Sequence, residues 1–307
     1  MKMANKPLIV VAGPTAAGKT AASIKIAKHV GGEIISADSM QVYKGMDIGT
    51  AKLPLTEMQG IPHYLIDEIY PDEEYNACIF QQRAKTYIEK IYENGKVPII
   101  VGGTGFYINV LIYDNDFVET TANLEFRNNM SLLAEKNGNT YIHNLLREKD
   151  PAAADDIHPN NAKKVIRALE YFEQTGTKIS EHNKAQKCKQ SPYDVKLFVL
   201  SMDRAKLYER IETRVDIMLK CGLVLEVEKL LNAGYGRQLV SMQGLGYKEI
   251  AAHLHGEIYL EEAVRILKRN TRHFAKRQLT WFRHQTNGVW IDSDKPGHIE
   301  EILQIFS

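Results

Sequence analysis

The sequence predicts an α/β fold: a parallel sheet flanked by helices and carrying an inserted all-helical subdomain. Three observations lead to it. Short apolar runs rich in β-branched residues recur at residues 7–12, 32–37, 97–101 and 195–202, with helical patterns between most of them. The first run passes through a glycine-bearing loop directly into a helix. From about residue 116 to 191 the strand-like runs disappear and helical signals take over, which marks the insertion and leaves 1–115 with 192–307 as the core.

The loop after the first strand reads Gly13-Pro14-Thr15-Ala16-Ala17-Gly18-Lys19-Thr20, the phosphate-loop spacing of Gly, four residues, Gly-Lys-Thr. Residues 19–30 continue as a helix with Ala22, Ile26 and Val30 at helical spacing. Strand, loop and helix in that order narrow the fold to a P-loop NTPase-like sheet, a nucleotide- and ATP-binding type. Successive backbone N–H groups of such a loop form a concave donor surface for phosphate oxygens, which a Cβ at Gly13 or Gly18 is expected to crowd. Lys19 adds a cation, and the Thr20 hydroxyl can ligate a phosphate-bound Mg²⁺.

The second strand, 32–37, delivers Asp38-Ser39-Met40-Gln41 at its carboxyl end, the edge where open α/β sheets bind ligands. Asp38 suits two tasks, organising Mg²⁺ or taking a proton from an incoming nucleophile; an acid at a strand end also caps turns. Residues 44–50 read as irregular loop, 63–66 as a short strand, and 76–94 as a helix stopped by Gly95. The strand at 97–101 ends in Gly102-Gly103-Thr104-Gly105, a second glycine loop at the same edge. There the Thr104 hydroxyl can serve a phosphate oxygen or simply a turn.

Inside the insertion, Asp150-Pro151 reads as a cap with proline at the first helical position. Asn160 or Asn161 caps a helix that ends near Thr175, with Gly176 as its stop. Val165, Leu169 and Phe172 form its apolar stripe, leaving Lys164, Arg167 and Tyr171 on another side. After the strand at 195–202, Asp203 caps a helix on which Arg210 and Arg214 lie one turn apart, able to clamp charge on a leaving phosphate. Glu209, Glu212 and Glu226 are available to neutralise that pair. The helical pattern 261–285 holds Arg265, Lys268, Arg269, Arg272, Lys276, Arg277 and Arg283, with no acid from 265 to 283, and Trp281, Phe282 and His284 at its end. A single-sign row suits a nucleic-acid backbone. Residues 289–291 read as a last strand.

Lys and Arg number 39 against 38 Asp and Glu, so net charge alone calls for no nucleic-acid partner. Cys78, Cys188 and Cys221 are widely spaced, which favours neither disulfides nor zinc and fits a reducing cytoplasm. Lys2 and Lys6 precede an apolar stretch too short for a signal peptide, and no membrane span is expected. No Asn-Lys-x-Asp guanine signature occurs, and no long strand ends in the acidic pair of a motor ATPase. Small-molecule kinases and other diphosphate-holding enzymes remain.

These stretches together resemble the tRNA dimethylallyltransferase family, in its bacterial form without a carboxyl-terminal zinc finger. The resemblance rests on residues 13–20, on Asp-Ser-Met-Gln-Val-Tyr-Lys-Gly-Met-Asp-Ile-Gly-Thr-Ala-Lys at 38–52, and on Pro-His-Tyr-Leu-Ile-Asp at 62–67. Gly-Gly-Thr-Gly-Phe-Tyr at 102–107, His-Pro-Asn at 158–160, Val-Ile-Arg-Ala-Leu-Glu at 165–170 and Gly-Leu-Gly-Tyr-Lys-Glu at 244–249 extend it.

The resemblance implies transfer of a dimethylallyl group from dimethylallyl diphosphate to the exocyclic amine of the adenosine 3′ of the anticodon. The loop would hold diphosphate without ATP hydrolysis. Lys19, Thr20 and Mg²⁺ would stabilise the leaving group, Thr104 and Arg214 would complete the cage, and Asp38 would hold the amine and accept its proton. Asp38, Ser39, Met40, Gln41, Arg127, Lys163, Lys164, Arg167, Gln243 and Lys248 would touch the tRNA. Gln243 stands where the family often has Arg, and Lys163-Lys164 replace the more usual Gln-Arg. A monomer is expected. The rival readings are a nucleotide or small-molecule kinase, a transferase acting on free adenine nucleotides, and a non-enzymatic RNA-binding protein.

Overall fold

The computed structural model describes residues 6–117 and 123–306; Lys2 and residues 118–122 of the expected insertion lie outside them. The chain divides into two compact units, Met1–Ile112 with Ser191–Ser307, and Tyr113–Gln190, against expected bounds of 116 and 191.

The first unit is a six-stranded parallel sheet: β1 Lys6–Ala12, β2 Gly32–Ser36, β3 His63–Tyr64, β4 Val97–Gly102, β5 Tyr193–Ser201 and β6 Val289–Asp292. Its order is β3-β2-β4-β1-β5-β6. The central strands β1 and β4 carry apolar runs, Leu8–Ala12 and Pro98–Val101, that are buried along most of their length, as the interior of a parallel sheet requires. Helices α1 Lys19–Val30, α2 Ala77–Glu93 and α3 Gly105–Ile112 fall in the first half of this unit. From β1 the chain crosses toward β2, whereas from β4 it returns toward β5, so β1 and β4 flank a switch point whose carboxyl ends form a crevice.

Asn76 caps α2 by accepting from the Cys78 and Ile79 amides, both at 3.0 Å. Phe80, Ala84, Ile88 and Ile91 of α2 recur every three or four residues, the spacing of one helix face, and all four are buried.

The second unit is all-helical among the described residues: α4 Leu124–Asn137, α5 Asn139–Lys149, α6 Pro151–Asp156, α7 Ala162–Thr175 and α8 Ile179–Lys187. Its core gathers Ile142, Leu146, Ala153, Val165, Ala168 and Leu169. Asp150 caps α6 as expected and also accepts from the Ser180 amide and hydroxyl, tying α8 to α6. Asn161, not Asn160, is the cap position of α7, and its side chain makes no capping bond. Tyr171 is buried rather than polar-facing: α7 is flanked on two sides inside the bundle, so its buried face is wider than one stripe.

The chain then returns to the first unit with β5, followed by α9 Arg204–Lys220, α10 Leu223–Asn232, α11 Tyr247–Leu254, α12 Leu260–Gln285 and α13 His298–Leu303. Asp203 caps α9 through the Ala205 and Lys206 amides. Leu207 and Ile211 of α9 pack with Ala275 and Leu279 of α12 around Ala16 of the phosphate loop. Those contacts aim both helices at the sheet's carboxyl edge. No described helix is long and apolar enough to cross a membrane.

Candidate active site

Three loops leave the carboxyl ends of β1, β2 and β4, and backbone bonds draw two of them together. The Ala37 amide donates to the Val101 carbonyl at 2.7 Å, and the Thr104 amide to the Ala37 carbonyl at 3.3 Å. Thr104 is thereby set beside the residue that precedes Asp38. A Cβ on Gly103 would stand 3.2 Å from the Gly13 carbonyl oxygen, so the second glycine loop also abuts the first.

Glycine is required in the phosphate loop for reasons inside the protein. At Gly13 a Cβ would lie 2.6 Å from the backbone carbonyl oxygen of Leu200 in β5. Gly18 has open space around it but a φ of 87°, so its requirement is conformational. Ala16 sits at φ 65°, a strained position for a residue with a Cβ, held by the α9 and α12 packing beneath it.

Lys19 points back into its own loop, donating to the Pro14 carbonyl at 2.7 Å and the Gly13 carbonyl at 3.1 Å. Burial lowers its pKa to about 8; Asp38 opposes that shift and Arg214 reinforces it, which puts both within electrostatic reach. Arg214 is half-buried and donates to the Thr15 hydroxyl at 3.5 Å, with its own pKa lowered by burial and by Arg210. Of the three acids available to neutralise these arginines, Glu209 lines the same cleft as they do, and the other two are engaged elsewhere. Glu212 pairs with Arg272. Glu226 accepts from the amides of Asp47, Ile48 and Gly49 at 2.7–3.0 Å and from the Tyr247 hydroxyl at 2.7 Å. Arg210 is exposed and approaches the Met202 sulfur at 3.8 Å.

Asp38 Oδ1 accepts from the Met40 amide at 2.8 Å and, more weakly, from Gln41 at 3.4 Å. Its other oxygen has no hydrogen-bond partner among the described residues, so the turn occupies only one oxygen of the carboxylate. Thr20 is exposed at the loop's end. A cleft of about 1270 Å³ opens there, lined by Gly18, Thr20, Arg210, Arg214 and residues of the 47–59 segment.

The remaining predicted residues separate into groups. Met40 meets the 241–244 turn, where a Cβ on Gly244 would be 2.5 Å from its methyl. The Gln41 amide is internally bonded to Ser36 and Thr50, that of Gln243 donates to the Arg237 carbonyl at 2.6 Å, and Lys248 lies 3.9 Å from Glu249. Ser39 is half-buried in the Asp38 turn. In the helical unit Arg127 and Arg167 both pair with the fully buried Glu170, at 2.9 and 2.7 Å, while Lys163 and Lys164 are exposed.

Gln278 is the residue that sequence reasoning missed. Buried on α12, it accepts from the Thr15 amide at 3.0 Å and donates to the Gly103 carbonyl at 2.9 Å. The signal was present: Ala275, Gln278 and Phe282 share the buried stripe of α12, and a polar residue there needs partners.

Fold and site together define a P-loop-type α/β protein that sets a cationic phosphate cradle beside a strand-end carboxylate. The IPP transferase family model matches residues 41–285, and the chain belongs to that family. The tRNA dimethylallyltransferase of Lachnoclostridium phytofermentans is 56% identical over 93% of this chain and 91% of its own. That of Acetivibrio thermocellus is 52% identical over 97% and 95%. Full-length tRNA isopentenylpyrophosphate transferase from Bacillus halodurans superposes with a TM-score of 0.74 at 43% identity, covering 98% of this chain and 95% of that one. A eukaryotic dimethylallyltransferase acting on tRNA gives 0.79 at 32% identity, over 94% and 74%.

Proposed function

We propose that this protein transfers a dimethylallyl group from dimethylallyl diphosphate to the exocyclic amine of the adenosine just 3′ of the anticodon in tRNA, releasing diphosphate. Relatives named tRNA dimethylallyltransferase and a structural neighbour acting on tRNA support the substrate pair. The observation that carries the chemistry is the grouping of Lys19 and Arg214 at the phosphate loop with Asp38 close enough to act on the Lys19 charge.

An adenine amine is a weak nucleophile because its lone pair is delocalised into the ring. The allylic carbon must therefore be made electrophilic, and withdrawing electrons into diphosphate does so. As the carbon–oxygen bond breaks, its electron pair leaves with the diphosphate, whose charge Lys19, Arg214 and the loop N–H groups stabilise. The amine nitrogen bonds to the carbon and gives its proton to the free oxygen of Asp38. Thr104 offers its hydroxyl to the same anion. The target base must leave the anticodon-loop stack, which costs a few kcal/mol.

Magnesium fits as a companion of the substrate. Among the described residues no three His, Cys, Asp or Glu side chains are arranged to hold a metal, whereas Thr20 presents one oxygen at the mouth of the cradle. An ion there would take its other ligands from diphosphate and water and would add positive charge where the leaving group gathers negative charge. On the same reading the enzyme works as a monomer in a reducing cytoplasm, which suits the free Cys78, Cys188 and Cys221.

Isotopically labelled dimethylallyl diphosphate incubated with unmodified tRNA tests the proposal. Label is expected in the RNA and diphosphate in solution. A kinase would transfer nothing from this donor, a transferase for free adenine nucleotides would be competed by AMP, and a binding protein would keep its function after Lys19→Ala.

A further inference from the structure

Glu226 lies on α10, outside the lining of the cleft, and its carboxylate is given over to one turn. Oε2 accepts from the Asp47 amide at 2.9 Å and the Ile48 amide at 2.7 Å, while Oε1 accepts from the Gly49 amide at 3.0 Å and the Tyr247 hydroxyl at 2.7 Å. Among the described residues no cation pairs with it, so neutral dipoles alone hold a whole negative charge. Successive amides aimed at one point form a small anion nest, and the protein fills this one with its own acid.

The turn so held is one wall of the cleft beside the phosphate loop. Ile48, Ala51 and Leu53 line that cleft together with Ile217 and Met218 of α9. Ala51 has a φ of 53°, the left-handed region that a Cβ disfavours, so the wall keeps a conformation that the chain alone would not choose. Both ends of the turn are fixed. At the far end the Lys52 side chain is buried and bonds to the Tyr43 carbonyl, Asp47 and Asp67. At the near end an added Cβ on Gly49 would lie 2.6 Å from the Tyr247 ring. A side tie reaches the Asp38 turn, since the Thr50 carbonyl accepts from the Gln41 side chain at 3.2 Å.

We infer that Glu226 is a positioning residue for the prenyl donor: it holds residues 47–51 in the strained shape that forms the cleft wall beside the phosphate loop. The inference rests on the reading of dimethylallyl diphosphate as donor. Without an acceptor at 226 the Asp47, Ile48 and Gly49 amides lose their partner, and relief of the strain at Ala51 then favours a different turn. The strands and α10 make their backbone hydrogen bonds without this turn, so its release moves the wall rather than the fold.

The experiment follows single-turnover prenyl transfer to an unmodified anticodon stem-loop RNA by the full-length protein over a range of dimethylallyl diphosphate concentrations. Glu226→Ala is expected to raise the half-saturating donor concentration ~10-fold or more, with the rate at saturating donor and the RNA affinity within about threefold of wild type. Glu226→Gln keeps one accepting oxygen and is expected to fall between the two. Val227→Ala, which removes buried packing from the same helix, is the structural control: a lower melting temperature is expected, with a donor requirement within about twofold of wild type. An unchanged donor requirement in Glu226→Ala, or equal rises in Glu226→Ala and Val227→Ala, overturns the inference. So does a slower rate at saturating donor with an unchanged requirement, which would carry the effect through Gln41 to Asp38. If Glu226→Ala does not fold, Glu226→Gln decides by the same outcomes. Wild-type protein that transfers nothing overturns the reading of the donor beneath it.

Discussion

The Thr15 amide and the Gln278 side chain lie 263 residues apart in sequence and are joined by a 3.0 Å hydrogen bond. A primary amide carries donor and acceptor on one rigid plane, so Gln278 can hold the Gly103 carbonyl with its nitrogen while its oxygen holds Thr15. Both glycine loops of the site are thus referenced to one buried group on α12. Gln278→Leu fills similar volume and strands both backbone groups, at ~1–3 kcal/mol each where no water replaces the bond. A lower melting temperature and roughly tenfold or more weaker diphosphate binding by calorimetry are expected. Wild-type diphosphate affinity in the folded variant would mean that the loops keep their shape without it.

Asp38→Asn separates two roles, because asparagine keeps an oxygen for the Met40 amide and loses the base. Single-turnover prenyl transfer is expected to slow by ~10²–10⁴ with stem-loop affinity nearly constant. A large loss of RNA affinity at an unchanged rate would move Asp38 to an RNA contact.

Lys19 makes diphosphate binding pH-dependent. Its pKa of about 8 lies below the ordinary 10.5, so the ligand-free loop loses its cation as pH passes about 8. Between those values the unfolded chain binds more protons, and this residue's burial penalty on stability is relieved as pH rises, while anion binding weakens. Diphosphate favours the charged form, so binding at about pH 8.5 should draw up to ~1 proton onto the protein. Calorimetry in two buffers of different ionisation enthalpy measures this, with Lys19→Arg, which stays charged throughout, as the reference. Equal proton uptake by both proteins would assign the titration elsewhere.

Acid should loosen the helical unit. Burial would raise the Glu170 carboxyl, but hydrogen bonds from Arg127, Arg167 and the Asn123 amide outweigh it together and hold it below the usual range. Asp150 is lowered in the same manner by Ser180 and the Ala153 amide. Carboxylates with depressed folded pKa values stabilise at neutral pH and lose that contribution as pH falls through the folded value. Glu170→Gln is expected to cost ~2 kcal/mol at neutral pH, less than a fully buried pair because both guanidiniums remain reachable by water, and to flatten the acid dependence. Hydrogen exchange along α7 reads this unit alone; equal acid slopes in both proteins would remove Glu170 as the cause.

Local signals made most of the fold legible. Gly13, Gly18 and Lys19 announce strand, loop and helix within fourteen or so residues, and Asp150, Asp203 and Gly176 mark helix ends by chemistry that needs no tertiary knowledge. What stayed hidden depends on partners distant in sequence. Glu226 looks like a neutraliser for Arg210 until the 47–49 amides are seen around it, and Lys268 looks free until Asp216 appears one helix away. The width of the buried face on α7, which swallows Tyr171, likewise depends on how many neighbours a helix has.

The central strand β1 is completed on one edge by β4 and on the other by β5, and β5 is encoded after the whole helical insertion. A ribosome making ~5–20 residues per second leaves that second edge uncovered for several seconds while the insertion emerges. For that interval the nascent chain presents a bare row of peptide groups from an apolar central strand, the kind of template on which other chains aggregate. Chaperone demand during translation is therefore concentrated in the span between α3 and β5.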